Sequence, residues 1–293
     1  MPLFNPPASA GGSALDANGN LVLPAPTAAT VPAANTIAER TITRAGFSQL
    51  GYANVDIPDL TMMPNLENYG HAKVESNGTG GVITLGCTSS GAGGVITVTP
   101  AFTTYSNSRP LTQLQTSTTA GGGAGMTAVH APRTRGNAAR RGGFYAVIKF
   151  MPVLLAGHQG AIGLTNGAGV FAGEPSADTA SLIGMICDSA DVNWQIFAKP
   201  SSAAGTKIVD TGIAKTTTGA ILSLTLYAPP NSTGVQYLLE NEETQAVVVS
   251  GTITLTLPTA ITTMNSTSVK CRNGVTTTAA AINLLSIYNG SRY

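Results

Sequence analysis

The chain has 293 residues, of which 10% are charged, and its 15 Lys and Arg against 14 Asp and Glu give a formal net charge of +1. This balance argues against non-specific binding to nucleic acids or membrane surfaces by bulk charge. Hydrophobic residues make up 43% of the chain, so a core can form, and the mixture of Val, Ile, Leu and Thr favours β-structure. A surface with so few charges also favours association with other subunits.

The first 36 residues are rich in Pro, Ala, Gly and Asn, as in MPLFNPPASAGG. A segment of this composition cannot bury enough apolar surface to fold alone. We therefore predict that residues 1–60 form an extended N-terminal arm that attaches the chain to a partner. Within the arm, the Asn-Gly pair of LDANGNLVLP predicts a hairpin turn, and Asn35 or Thr36 is predicted to cap a helical turn containing Glu39. The arm shows no basic segment followed by an apolar run, so synthesis in a reducing cytoplasm is expected.

Residues 61–113 are predicted to form a small β linker region between the arm and the main domain. The run GGVITLG starts at Gly80, and GGVITVT starts at Gly93, with CTSSGA between them. Two copies of one alternating run joined by a Gly/Ser turn indicate a hairpin. We expect the two copies to pair with each other.

The stretch 114–143 has a glycine cluster and four arginines, Arg133, Arg135, Arg140 and Arg141. Two interpretations are open: a nucleic-acid patch, or a loop whose arginines form salt bridges with acidic residues of a neighbouring subunit. Because aromatic interleaving and a nucleic-acid-binding motif are both absent from the sequence, the loop is favoured and no nucleic acid is expected as a partner. The acidic run Glu240, Glu242 and Glu243 is either a solvated turn between strands or the partner of these arginines.

After Gly143 the sequence shows ten short runs bounded by Gly, Pro, Asn or Ser: FYAVIKFMPVLL, AIGLTN, SLIGMICD, NWQIFAK, KIVDTG, AILSLTLYA, VQYLLEN, QAVVVSG, TITLTLPT and AINLLSIYN. Apolar and polar residues alternate in several of them; in TITLTLP, Ile253, Leu255 and Leu257 alternate with threonines. A period of two predicts half-buried antiparallel strands. We predict an all-β fold for residues 114–293, an antiparallel β-sandwich of the jelly-roll type. No apolar stretch approaches the ~20 residues that span a bilayer, so no membrane insertion is expected.

The residue types that carry catalysis or bind metals show no matching pattern. The three cysteines lie far apart and are predicted to be buried reduced thiols, and the three histidines lack ligand spacing: Cys87, Cys187, Cys271, His71, His130 and His158. Motifs such as GxSxG, the P-loop and HExxH are absent from the sequence. The acidic pairs Asp188/Asp191 and Glu242/Glu243 are sequence neighbours, which does not assure the ~5–10 Å separation across a cleft that glycoside hydrolysis needs. We expect no enzymatic activity, no metal and no cofactor.

The chain's one tryptophan lies in DSADVNWQ, and this stretch has two interpretations. In the first, the Trp194 ring stacks on a sugar of a surface glycan while Asp188, Asp191 or Asn193 binds its hydroxyls; the same oxygens could hold calcium. In the second, the stretch is a hairpin whose Asp and Asn residues stabilise the turn through the backbone, and Trp194 packs in the core. The hairpin is the favoured interpretation.

Three motifs of the last 180 residues carry a resemblance: RGNAARRGGF, IGMICDSADVNWQ and VDTG. Their order in the segment 114–293 resembles that in the concanavalin A-like, lectin-type C-terminal jelly roll of tailed-bacteriophage fibre proteins. The resemblance implies a structural virion protein made in the host cytoplasm. It also implies a homotrimer that contacts the host surface, while the N-terminal arm binds other virion proteins.

The function expected from this resemblance is that of a tail fibre or receptor-binding subunit that adheres to bacterial surface glycans through several weak contacts. Two alternatives stay open. The first is a capsid fibre or decoration protein anchored to the head lattice, and the second is a carbohydrate-binding module.

Overall fold

A computed structural model describes most of the second half of the chain and parts of the first half. The described residues are 14–15, 21–22, 38–44, 47–53, 69–76, 82–85, 87–91, 94–98, 111–128, 134–137, 142–167, 169–201, 203–216, 219–244, 246–261 and 266–291. The chain divides into two compact units, Met1–Leu66 and Glu67–Tyr293.

The first unit contains two short antiparallel pairs. Strand β1 (Ala14–Leu15) pairs with β2 (Leu21–Val22), and β3 (Ala38–Arg44) pairs with β4 (Phe47–Ala53). The pairing of β1 with β2 agrees with the predicted hairpin, whose Asn-Gly turn lies outside the described residues. The helical turn predicted after Asn35 is wrong, because Glu39 lies in β3 opposite Tyr52. Pairing with β4 outweighs the local capping signal, since helix propensity is a weak prior.

The second unit contains two sheets in which every described strand pair is antiparallel. Sheet I has the order β15 (Thr206–Ala214), β14 (Asn193–Lys199), β13 (Leu182–Cys187), β12 (Gln159–Thr165), β19 (Ser266–Arg272), β10 (Gly123–Ala128) and β7 (Cys87–Gly91). Sheet II has the order β18 (Ala246–Ile253), β17 (Val235–Asn241), β16 (Leu222–Ala228), β11 (Phe144–Val153) and β20 (Ala281–Ser291). Strand β20 pairs along one part of its length with β5 (Tyr69–Ser76), and β5 pairs in turn with β6 (Val82–Leu85). Along another part β20 pairs with β9 (Leu111–Gln115), and β9 pairs in turn with β8 (Gly94–Val98).

One apolar core joins the inner faces of the two sheets. Strand β16 of sheet II contributes Leu222, Leu224 and Leu226, and β14 of sheet I contributes Trp194 and Ile196. In β16 these leucines are buried while Thr225 and Tyr227 stay partly exposed on the other face. The structure therefore confirms the all-β, antiparallel sandwich and the alternation from which it was predicted. Among the described residues, no helix is long and apolar enough to cross a membrane.

The described strands of the region 61–113 are part of the two sheets of the sandwich. Strands β5, β6, β8 and β9 belong to sheet II and β7 to sheet I, so the boundary between compact units lies at residues 66 and 67 rather than at 113. The hairpin predicted from the two GGVIT copies is wrong. The first copy pairs with β5 and the second with β9, because alternation specifies a strand but not its partner.

Two strand assignments near the C-terminus also differ from the prediction. The second half of TITLTLP is not a strand: β18 ends at Ile253, Leu255 is 64% exposed, and Thr256 has a φ of 53°. In contrast, β19 in the middle of sheet I was not among the predicted runs. Its sequence STSVKCR has Ser268, Lys270 and Arg272 on one face, which hides the apolar alternation of the other face.

Candidate functional site

The stretch DSADVNWQ forms the turn and second strand of the hairpin that joins β13 to β14. The Asp191 N–H donates to the Asp188 carbonyl at 3.1 Å, and the Asp188 N–H donates to Asp191 Oδ2 at 2.8 Å. A side chain that accepts from the backbone three residues away is how Asp stabilises a turn. The structure confirms the hairpin interpretation.

Trp194 lies inside the sandwich and does not form a sugar platform. Its exposed fraction is 0%, and its ring meets Phe150 of β11 edge to face with centroids 6.1 Å apart. A Cβ added at Gly160 would lie 2.5 Å from Trp194 Cη2, so glycine is the residue that makes room for the indole. Stacking on a sugar needs an exposed ring face, and this burial removes Trp194 from the candidate sugar contacts.

The two carboxylates of the turn converge on one lysine. Lys207 Nζ lies 2.9 Å from Asp188 Oδ2 and 2.7 Å from both oxygens of Asp191. Burial lowers the pKa of Lys207, but the hydrogen bonds to Asp191 and Asp188 outweigh this effect and the net pKa is raised. Asn193 turns elsewhere, since its Nδ2 donates to Asp210 Oδ1 at 3.0 Å. The structure thus brings Asp188 and Asp191 together around an ammonium group and leaves Asn193 outside that cluster.

These contacts bear on the calcium hypothesis for the turn. The position between the Asp188 and Asp191 carboxylates is filled by the ammonium group of Lys207. Among the residues that the structure describes, no group of three or more His, Cys, Asp or Glu is arranged to hold a metal ion.

The turn also fastens a long segment, residues 166–181, which we call the strap. Asp188 Oδ1 accepts the Ser176 N–H at 3.1 Å, and the Ser189 N–H donates to Glu174 Oε2 at 2.8 Å. Lys199 of β14 donates to the Ser176 carbonyl at 3.1 Å and to the Asp178 carbonyl. Of the acidic residues that the sequence singled out, Asp188 therefore helps to hold the strap in place.

The strap covers the part of the outer face of sheet I formed by β10, β12, β13 and β14. Phe171 of the strap is buried in a small apolar cluster with Ala161, Leu182, Ile186 and Phe197. Val170 reaches the strands because β10 offers glycines: a Cβ at Gly123 would lie 3.1 Å from the Val170 side chain. Over these strands the outer face of sheet I is consequently packed against the strap rather than open to a ligand.

The sequence analysis did not identify two buried lysines, Lys215 and Lys270, as structural residues. Lys215 is buried, and its Nζ donates to the carbonyls of His158, Asp188 and Ser189 at 3.0, 3.0 and 2.8 Å. Lys270 is buried under the strap and donates to the Gly167 carbonyl at 2.7 Å; burial lowers its pKa, partly opposed by Asp178.

The outer face of sheet II carries a row of three tyrosines, which we call the tyrosine row: Tyr227 of β16, Tyr145 of β11 and Tyr288 of β20. The centroids of Tyr227 and Tyr145 are 6.5 Å apart, and those of Tyr145 and Tyr288 are 5.8 Å apart. Each pair meets edge to face, with an interplanar angle of 66°. All three side chains are partly exposed, although the hydroxyl oxygen of Tyr288 is itself buried. The sequence analysis placed Tyr227 on the polar face of its strand but did not connect it with Tyr145 and Tyr288.

Polar and apolar neighbours surround the tyrosine row. The strand register places Gln236 opposite Tyr227, and Val147 between Thr225 and Tyr288. The same face continues to Lys149, which forms an ion pair with Glu242 at 2.8 Å. Aromatic rings beside an amide and hydroxyl groups are suited to ligands that have both apolar faces and hydroxyl groups.

The basic stretch and the acidic run find partners within the chain. Arg135 donates to the carbonyls of Ser232, at 2.6 Å, and Pro258. Glu242 pairs with Lys149 as described above, and the Glu243 N–H donates to Asn241 Oδ1 at 2.9 Å. Arg135 and Glu242 therefore have intrachain partners, and the salt bridges to a neighbouring subunit stay a prediction. Arg133, Arg140 and Arg141 lie outside the described residues.

The thiol prediction holds where the structure describes the side chain. Cys187 and Cys271 are buried free thiols, and burial raises the pKa of both thiols. Both thiols are consequently kept in their neutral form. The side chain of Cys87 lies outside the described residues.

The chain was compared with known proteins by sequence and by structure. No family model and no curated protein matches the sequence. The fold is similar to peanut lectin, at 10% identity and a TM-score of 0.48, over 76% of this chain and 96% of that one. It is also similar to a Shewanella oneidensis protein of unknown function, at 14% identity and a TM-score of 0.45, over 71% of this chain and 79% of that one. A third similar structure is the Ca²⁺-bound exoplasmic/lumenal domain of VIP36, at 11% identity and a TM-score of 0.44, over 76% of this chain and 92% of that one. These similarities concern the fold alone.

Proposed function

We propose that this protein is a non-enzymatic adhesion protein that binds carbohydrate through the tyrosine row. More specifically, following the sequence resemblance, we propose a receptor-binding tail fibre subunit of a tailed bacteriophage. In this proposal the chain is a homotrimer made in the host cytoplasm. Its N-terminal arm attaches to other virion proteins, and the sandwich faces the bacterial surface.

One observation supports the choice of binding face. The outer face of sheet I is covered at β12, β13 and β14 by the strap, whose Phe171 is buried. The outer face of sheet II instead carries the partly exposed rings of Tyr227, Tyr145 and Tyr288 in one row. Tyrosine presents an apolar ring together with a hydroxyl group, which matches the apolar faces and hydroxyl edges of sugars. Of the two outer faces, the tyrosine face is the one suited to glycan contact.

The expected affinity of one such face is modest. Shallow sheet faces bury less of a small ligand than the deep clefts in which tight sites lie. Adhesion would then depend on several chains acting together, because linked copies raise the effective concentration of the second and third contacts. A homotrimer on a fibre provides such linkage.

The test is a binding assay on immobilised bacterial surface polysaccharide with the full chain and two variants. Tyr145→Leu removes the central ring while keeping an apolar side chain on β11. Val192→Ala, at a side chain 74% exposed on the β13–β14 turn, is the matched control at the site that the sequence suggested. We expect at least a tenfold loss for Tyr145→Leu and unchanged binding for Val192→Ala. If Val192→Ala lost binding while a folded Tyr145→Leu variant bound normally, the binding site would lie at the β13–β14 turn and not at the tyrosine row.

A further inference from the structure

A rim of charged residues borders the tyrosine row. The register places Lys149 of β11, Ser223 of β16 and Glu240 of β17 side by side, and Lys149 pairs with Glu242. This described rim thus holds one ammonium and two carboxylate groups, with a net charge of −1. Lys149 stands opposite Ser286, two residues from Tyr288 on the same face of β20, so the rim begins about 7 Å from the row along the strand direction.

That distance is short enough for the rim to act on a charged ligand. The screening length is about 8 Å at physiological ionic strength. One net negative charge about 10 Å away changes the affinity for an anion by roughly twofold in water of low ionic strength and by about 1.2-fold at physiological ionic strength, and the effect adds up over several anionic sugars. An uncharged glycan is unaffected by the same rim.

The geometry of the tyrosine row also favours a long saccharide ligand over a short one. The three tyrosines lie on adjacent strands that are about 4.8 Å apart, so the row crosses the strands. Because neighbouring rings are inclined by 66°, the row cannot form one flat shelf for a single large ring system. Successive rings can instead contact successive units of an extended saccharide chain.

We propose that the tyrosine row binds an uncharged, extended oligosaccharide that crosses β16, β11 and β20, and that the acidic rim disfavours anionic glycans. This inference rests on the proposed function, and it adds the ligand class and its direction on the sheet.

The experiment compares matched neutral and anionic polymers. Binding of the full chain is measured on dextran, mannan and amylose and on their carboxymethylated forms, in low and high salt. We expect each bound neutral polymer to exceed its carboxymethylated form several-fold in low salt, with the difference shrinking in high salt. Tetrasaccharides should compete better than the corresponding monosaccharides by more than their fourfold content of sugar units.

Two variants separate the charge of the rim from its structure. Glu240→Gln brings the net charge of the rim to zero, so the discrimination against carboxymethylated polymers should disappear while neutral binding stays unchanged. The double variant Lys149→Met/Glu242→Gln removes the ion pair but leaves the net charge at −1, so the discrimination should persist.

The failures are distinguishable. If carboxymethylated polymers bind the unmodified chain as well as the neutral ones, or monosaccharides compete as well per sugar unit as tetrasaccharides, this inference is overturned and carbohydrate binding survives. If a wider panel of neutral and anionic bacterial polysaccharides also fails to bind, the proposed function itself fails.

Discussion

The rings of Phe150 and Trp194 meet edge to face across the core, with centroids 6.1 Å apart and planes inclined by 63°. Phe150 comes from β11 of sheet II and Trp194 from β14 of sheet I, so the contact joins the two layers of the sandwich. Such aromatic pairs contribute about 0.5–1.5 kcal/mol beyond the area that they bury. Trp194 therefore contributes to stability, and the tyrosine row lies on the opposite, outer face of β11.

Gly160→Ala tests how closely Trp194 is packed. The new methyl group would lie 2.5 Å from Trp194 Cη2 and 3.0 Å from Leu154 Cδ1. Overpacking of a filled core costs about 1–3 kcal/mol, and we expect a loss of this size in urea denaturation. Gly173→Ala is the control, because a Cβ there has no atom within 4 Å. Equal stability of the two variants would show that the indole has space to move.

Lys207→Met tests the ammonium group between the turn carboxylates. Asp188 and Asp191 would lose their shared cation, and both carboxylate side chains are mostly buried, at 12% and 16% exposed. We expect a loss of about 1–2 kcal/mol at pH 7, moderated by the partial exposure of Lys207. The triple variant Lys207→Met/Asp188→Asn/Asp191→Asn should recover part of the loss. No recovery would indicate that the lysine stem, rather than its charge, provides the stability.

Because the His158 side chain is buried, we expect the protein to lose stability in mild acid. Within this side chain, Nδ1 accepts the Leu155 N–H at 3.0 Å. Burial lowers the pKa of His158; the nearby Thr278 backbone opposes this, and the charge of Lys215 adds to it. Because the folded pKa lies below the unfolded value of about 6.5, the stabilisation is complete above pH 6.5 and decreases as the pH falls towards the lowered pKa.

The measurement for His158 is urea denaturation from pH 7.5 to 5.0. The unmodified chain should lose up to about 1.4 kcal/mol per pH unit from this group below pH 6.5. His158→Gln removes the titrating group, so its stability should fall less steeply over the same range. Parallel pH profiles for the two proteins would contradict the assignment.

The strap should open locally when its apolar anchor is removed. Phe171 is the strap residue buried against Leu182, Ile186 and Phe197. In Phe171→Ala we expect faster amide exchange and faster proteolysis within residues 166–181, with the two sheets intact. Glycan binding at the tyrosine row should be unchanged. Global unfolding at the same rate as strap cleavage would show that the strap is not a separate unit.

The sequence was sufficient for the layers of the fold but not for the pairing within them. Alternation in AILSLTLYA identified the buried leucines of β16 because one face of an antiparallel sheet packs on the core. It did not identify the partners of the two GGVIT copies, which depend on contacts distant in the chain. Nor did it find β19, because Lys270 and Arg272 obscure its apolar face.

The candidate site could be predicted only in part for a similar reason. A tryptophan beside two carboxylates looks the same in sequence whether the ring points outward or inward, and the direction depends on Gly160, which is 34 residues away in the chain. The tyrosine row is likewise assembled from residues 145, 227 and 288, which only the order of the strands in sheet II brings together.

The most direct test of the central claim is ¹⁹F NMR of the full chain labelled with 3-fluorotyrosine. Among its eight tyrosines, Tyr145, Tyr227 and Tyr288 can be assigned by single replacement with Phe, and Tyr237 on the core side of sheet II serves as an internal reference. On titration with a neutral oligosaccharide that the protein binds, we predict shifts at the first three resonances and none at Tyr237. Saturable binding that leaves all three resonances unmoved would contradict the assignment of the tyrosine row as the glycan site.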